Sequence, residues 1–284
     1  YNIQRVLHSS SRSKVYLAQD IETDETVVLK VPAVTMQEDP GFLDSFVLEE
    51  WVARKLDSPH LLKAPKLTRS RNYLYSVMEY VDGQTLAQWM IDNPKPDLET
   101  VRNLVGQIAK GLQVMHRQEM LHQDLKPENL VLDAQGSLKI VDFGSVKVAG
   151  IAEIDSPVYR SNLLGTKNYA SPENLADKPG SNASDIFSLG VICYELLSSG
   201  QLPYGEIPSN KKKIDYSKLS YMPCRDHNEA IPLWLDAMLK KSVHPDPSRR
   251  YHELSEFLFD LRNPNSNLSI DDSRPLLERN PLRF

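Results

Sequence analysis

One segment constrains the chain more than any other. It runs His122-Gln123-Asp124-Leu125-Lys126-Pro127-Glu128-Asn129, crosses a short apolar stretch with a single turn (residues 130–141), and ends in Asp142-Phe143-Gly144. The stretch Leu130-Val131-Leu132-Asp133-Ala134-Gln135-Gly136-Ser137-Leu138-Lys139-Ile140-Val141 reads as strand, turn, strand. Such a hairpin folds its two polar ends back toward each other. It would gather two carboxylates, a lysine and an amide. Those groups suit phosphoryl transfer, in which one carboxylate orients a hydroxyl while a second, with an amide, holds a divalent ion on phosphates.

Composition sets the frame. The chain has 284 residues, 40% hydrophobic and 25% charged, enough for one large or two small globular domains. A net charge of −5 argues against nucleic acid as the main partner. Cys193 and Cys224 are too few for a disulfide framework, suit a reducing compartment, and read as buried or idle thiols. No apolar run approaches the ~18 residues a membrane span needs. The chain opens on Tyr1 inside a strand-like stretch, which reads as a piece of something longer.

The pattern divides in two. Residues 1–7, 14–18 and 25–31 alternate as strands, 41–57 carry Phe42, Phe46, Val52 and Leu56 at helical spacing, and 64–81 read as two strands around Ser70-Arg71-Asn72. From Gln84 the spacing turns helical, at 84–92, 98–118, 184–200, 231–241 and 250–262. A small β-rich lobe therefore precedes a larger helical one, joined near Met78–Gly83. Residues 263–284, rich in Pro and Asn, read as a tail or linker, and Lys211-Lys212-Lys213 as a solvated run.

With motifs and order in agreement, the chain resembles a eukaryotic-type (Hanks-type) Ser/Thr protein kinase domain over residues 1–262. The resemblance implies an α+β, bilobal protein-kinase fold: a small antiparallel sheet lobe with one helix (about 1–80) and a larger α-helical lobe (about 81–262). It implies transfer of the ATP γ-phosphate to protein Ser/Thr hydroxyls, autophosphorylation included, with Mg2+ or Mn2+. Asp124 would be the catalytic base, Lys126 a cation at the transferring phosphate, and Asn129 and Asp142 the metal ligands. Lys30, ending Val27-Val28-Leu29-Lys30, would reach the α- and β-phosphates. Its helix partner would be Glu49, leaving Glu50 a surface acid. Met78-Glu79-Tyr80-Val81 resembles the hinge, with Met78 as gatekeeper and the Glu79 and Val81 backbone on the adenine edge; Leu7, Val15, Val28 and Val131 would complete the nucleotide's apolar surroundings. Thr166 would contact Asp124 and Lys126 beside the substrate hydroxyl. Glu173 would pair with Arg250, Asp185 would cap the catalytic loop backbone, and His122 would be a structural partner of Phe143.

Three departures stand out. The expected phosphate-loop glycines fall at His8, Ser10 and Ser13, where serine hydroxyls would have to donate in place of closely approaching amides. Gln123 replaces the arginine that receives an activation-loop phosphate in the family, so activity should not require phosphate on Ser156, Tyr159 or Ser161. Val28 replaces a smaller residue over adenine. The runs at 9–17, 48–54, 86–94, 122–124 and 251–262 resemble the kinase module of bacterial bifunctional protein kinase/phosphatases. That likeness implies an attached phosphatase domain and a cytoplasmic kinase domain, the full-length protein being anchored at the inner membrane beyond residue 284. The alternative reading is a pseudokinase, a nucleotide-binding regulatory module without transfer activity; a small-molecule phosphotransferase is a third.

Overall fold

The structure is a computed structural model, and it describes residues 1–65, 70–149, 167–207, 220–265 and 268. The chain divides into two compact units, Tyr1–Asp92 with Gln107–Leu164, and Asn93–Gly106 with Gly165–Phe284.

In the first unit, β1 (Asn2–Ser9), β2 (Ser13–Gln19), β3 (Thr26–Pro32) and β4 (Ser76–Glu79) form an antiparallel sheet in that order. Successive strand residues face opposite sides. Val27 and Leu29 of β3 therefore enter a core with Ala18 and Val77, covered by Tyr1, Tyr16 and Tyr75, while Val28 and Lys30 face the other way. β1 carries two register shifts, between Ile3 and Arg5 and between Val6 and His8, where bulges bend a strand locally. Of the two strands expected over 64–81, β4 is the one found among the described residues; 66–69 lie outside them.

Helix α1 (Pro40–Lys55) starts where Asp39 accepts a hydrogen bond from the Phe42 amide at 3.1 Å with Pro40 in the first turn, and ends with Arg54 and Lys55 in its last. The expected helix over 84–92 begins later. Gly83–Thr85 forms β5, and α2 spans Leu86–Asp92, because these residues pair with β7 (Leu130–Asp133). The pairing is so close that a Cβ on Gly83 would overlap the Leu132 carbonyl. Strand β6 (Met120–Leu121) pairs with β9 (Lys147–Val148), and β7 pairs with β8 (Leu138–Ile140) in the expected hairpin. The Asp133 carboxylate accepts from the Gln135 and Ser137 amides, and Gly136 takes φ +80°. On its other side β8 bonds the segment after α1: Ile140 N–H donates to His60 O at 3.0 Å, and Leu62 N–H to Ile140 O at 2.9 Å. Helix α3 (Leu98–Arg117) passes close by, with Gly111 leaving room for His60 and Ile140.

The second unit holds α4 (Pro172–Leu175), α5 (Asn182–Leu197), α6 (Leu233–Ser242) and α7 (Leu254–Arg262). Helix α6 starts after Pro232 rather than at 231, since proline lacks the N–H a helix interior needs. α5 is buried along nearly its whole length, Asp185 included. Beside it the Arg250 guanidinium holds Glu173 with two bonds of 2.7 and 2.8 Å. It also donates to the carbonyls of His244, Ala183 and Pro245 and lies over the Phe187 ring. Cys193 and Cys224 are buried and unoxidised; burial pushes both thiols up, Cys224 to about 12. No described helix is long and apolar enough to cross a membrane.

Candidate functional site

The outward face of β3 opens onto a cavity of about 560 Å³ built wholly within the first unit. Lys30 lines it, and its Nζ meets Glu49 Oε2 at 2.6 Å. Phe42, Phe46 and Glu49 stand one turn apart on α1 and all line the cavity, so one helix face brings both the acid and its apolar surroundings. Burial alone would lower the Lys30 ammonium; Glu49 and then Asp142 outweigh it, and its pKa is raised. Glu49 is pushed up by burial, against the pull of Lys30. Asp142 is also pushed up by burial, but Lys30, the Gly144 amide, His122 and Lys126 together hold it below the usual carboxylate range.

Glu50 is not a surface acid. It is buried, takes the Arg71 guanidinium through two bonds of 2.8 and 2.5 Å, and pairs with Arg54 one turn on. Arg71 also donates to Tyr75 O and stacks on its ring. Two adjacent helix residues point about 100° apart. A helix packed on both flanks can therefore bury both acids, provided each has a cation.

Across the cavity, the 3-10 turn Pro127–Asn129 folds Asn129 back onto Asp124. Asn129 Nδ2 donates to Asp124 O at 2.9 Å and to its Oδ2 at 3.2 Å; Lys126 Nζ bonds the same Oδ2 at 2.9 Å. The other oxygen, Oδ1, is buried with no hydrogen-bond partner among the described residues. Asn129 keeps its carbonyl oxygen for another ligand. Asp142 Oδ1 accepts from Gly144 N–H at 2.9 Å, leaving Oδ2. His122 is buried and meets Phe143 edge-on with ring centroids 6.3 Å apart. Gln123 sits in the left-handed region, φ 69°.

At the apolar end, Met78 is buried and pairs with Val28 in register. Leu7, Val15, Val28 and Val131 join Met78 and Val81 in the lining. The Glu79 amide already donates to Lys63 O, and its carboxylate accepts from the Lys63 amide and Lys139 Nζ, each at 2.7 Å. Its backbone offer to a ligand is thus its carbonyl. In the covering loop, Ser10 Oγ does not face outward: it donates to Ser13 O and accepts from the Arg12 and Ser13 amides.

The cavity thus gathers Leu7, Val15, Val28, Lys30, Glu49, Met78, Glu79, Val81, Asp124, Asn129, Val131 and Asp142. Lys126 reaches it through Asp124. Thr166, Ser156, Tyr159 and Ser161 lie outside the described residues, as do Lys211–213. Sequence reasoning missed Arg12, Phe42, Phe46 and Leu62 in the lining; the one-turn spacing of the phenylalanines with Glu49 was the available signal.

A sheet with one helix over it and a carboxylate–amide hairpin below defines a phosphotransfer fold. The solved kinase domain of Mycobacterium tuberculosis PknI has that fold, with a TM-score of 0.69 at 24% identity over 93% of this chain and 95% of that one. Residues 1–258 match the protein kinase domain family, and the chain belongs to it. Relatives include serine/threonine-protein kinase PrkC of Bacillus subtilis, 28% identical over 92% of this chain and 40% of PrkC. PknA of Corynebacterium glutamicum is 33% identical, over 90% of this chain and 54% of its own length. PknB of Mycobacterium leprae is 30% identical, over 92% and 42%. The chain spans about half the length of these relatives or less.

Proposed function

We propose that the chain is an active protein serine/threonine kinase domain that transfers the ATP γ-phosphate to Ser/Thr hydroxyls. The observation that carries this is the Asp124 carboxylate on the cavity wall, its Oδ2 held by both Lys126 and Asn129. A carboxylate fixed in this way at the cavity wall can orient a hydroxyl and take its proton late in the transfer. Lys126 brings positive charge to the same spot, and Lys30, held protonated by Glu49, gives the phosphates a fixed cation. Leu7, Val15, Val28, Met78 and Val131 would sandwich the base, with the Glu79 carbonyl and Val81 backbone on its edge.

Asn129 and Asp142 are hard oxygen donors, and each keeps one oxygen uncommitted. Among the described residues no group of three or more metal-binding side chains converges. Two oxygens fit an ion that takes its remaining ligands from phosphate and water, as Mg2+ does. Such an ion would neutralise charge on the phosphates; Mg2+ is the proposal and Mn2+ the substitute. Thr166 keeps its proposed place beside the substrate hydroxyl.

We read residues 1–262 as the kinase domain, lobes near 1–80 and 81–262, with 263–284 a tail. The relatives are named as kinases, which favours catalysis over the pseudokinase alternative. Protein substrates, an attached phosphatase domain and inner-membrane anchoring of a full-length protein with this domain in the cytoplasm rest on the likeness to bifunctional kinase/phosphatases. The deciding experiment is incorporation of γ-labelled phosphate with Mg2+ or Mn2+, beside Asp124→Asn and Asp142→Asn. Label in the parent and in neither variant is expected; no label in the parent, with a melting temperature raised by ATP, would replace the kinase with a binding module.

A further inference from the structure

Two acids sit side by side on α1, and one of them meets Lys30. Glu49 and Glu50 are both buried, and their side chains leave the helix about 100° apart. Lys30 bonds Glu49. Glu50 is held by Arg71 through both of its oxygens, at 2.8 and 2.5 Å, and by Arg54 at 2.6 Å. Arg54 rides on the same helix, so it turns with Glu50 and cannot fix the helix's rotation. Arg71 lies outside the helix. Its guanidinium also donates to Tyr75 O at 2.6 Å and lies over the Tyr75 ring, 4.8 Å from its centre. Tyr75 precedes Ser76, which stands opposite Lys30 in the β3–β4 register. Arg71 therefore ties the Glu50 flank of α1 to the strand next to the one that carries Lys30.

We propose that Arg71 is a positioning residue for phosphoryl transfer: it claims Glu50, and so keeps α1 turned with Glu49 toward Lys30. The inference rests on reading the cavity as a kinase site, and it adds a residue that does not line that cavity. An ammonium is a point charge that either carboxylate could satisfy, whereas a guanidinium grips a carboxylate in a fixed fork. Glu50 is near enough for its charge to be felt at the site: burial pushes Glu49 up, and Glu50 adds to that push. Without Arg71, Glu50 is a buried acid whose remaining partner moves with it, and a turn of α1 offers it Lys30 instead. The ion pair would then persist with the wrong acid, one residue or about 1.5 Å further along the helix axis. Misplacement on that scale is enough to slow transfer by about 10–100-fold.

The test is the rate at which the 284-residue chain incorporates γ-labelled phosphate into itself at saturating MgATP, at a temperature where circular dichroism shows every variant folded. Arg71→Met is expected to slow incorporation by about 10–100-fold. Adding Glu50→Gln to it should restore most of the rate, because the competitor for Lys30 is gone. Glu49→Gln should cost less in the Arg71→Met background than in the parent, since Glu50 has already taken its place there. That ratio is read within one background, so a change in the folded fraction does not move it. Should Arg71→Met fail to fold, Arg71→Gln, which keeps a donor for Glu50, is read in its place by the same criteria. A parental rate in the Arg71 variant overturns the inference. So does an equal cost of Glu49→Gln in both backgrounds, which would make Arg71 a prop of the fold alone, or a slowed variant that Glu50→Gln does not restore. A parent that incorporates no label overturns the kinase reading itself, and this inference with it.

Discussion

Arg250→Ala should be the most damaging single substitution in the second unit. The side chain is fully buried, and it makes two bonds to Glu173 and one each to three main-chain carbonyls, with its plane over Phe187. Truncation leaves Glu173 buried with the Ser184 hydroxyl at 2.7 Å as its remaining side-chain donor. Breaking a buried pair from one side costs about 3–5 kcal/mol. With m near 3 kcal/mol/M, the urea midpoint falls by about 1–1.7 M. Arg250→Lys should lie between, keeping the charge and losing the fork. Arg250→Met combined with Glu173→Leu should recover most of the loss, since the stranded charge is removed. The pH dependence has a definite sign. Burial pushes Glu173 up, but Arg250 and Ser184 hold it below the usual carboxylate range. The pair's contribution is therefore complete above the unfolded value, about 4.3, and is lost as pH falls through the folded value. The gap between parent and Arg250→Ala should be wide at pH 7 and narrow only below about pH 4. A midpoint shift below about 0.3 M at pH 7, or a gap that widens in acid, would refute the reasoning.

Three further outcomes are expected. Lys30→Met should cut label transfer by several orders of magnitude with circular dichroism unchanged, and Glu49→Gln by at least about tenfold, because catalysis here is positioning and electrostatics; near-parental rates in Lys30→Met would remove Lys30 from the site. Replacing Ser156, Tyr159 and Ser161 together with Ala should leave transfer largely intact, Gln123 being unable to receive a phosphate as an arginine does; abolished transfer would contradict it. Gly83→Ala should destabilise by about 1–3 kcal/mol, since the new methyl group has to displace a main-chain carbonyl of β7; thermal unfolding at the parental temperature would show that the strands part without loss.

The site was legible because its chemistry sits in contiguous motifs. Asp124, Lys126, Asn129 and Asp142 flank one hairpin, so local pairing alone brings them near each other. What stayed hidden depends on distant partners. Gln84 and Thr85 continue a helical pattern in sequence, yet pairing with Leu132 and Val131 makes them strand. Glu50 looks like any exposed helix acid until Arg71, across a loop, is seen to bury with it. A run of serines suggests available hydroxyls; that Ser10 spends its own on the turn is visible in coordinates alone.

The bonding of β8 on both edges has a mechanical meaning. One edge belongs to β7, the other to residues 60–62, only a few positions beyond the end of α1. The helix bearing Glu49 and the strand leading to Asp142 are therefore ends of one stiff lever. An outward swing of α1 must shear the two main-chain hydrogen bonds of Ile140, one through its N–H and one through its carbonyl, or drag β8 with it. Whatever pushes on that helix is felt two residues downstream of Ile140, at Asp142, without any signal passing through the covering loop.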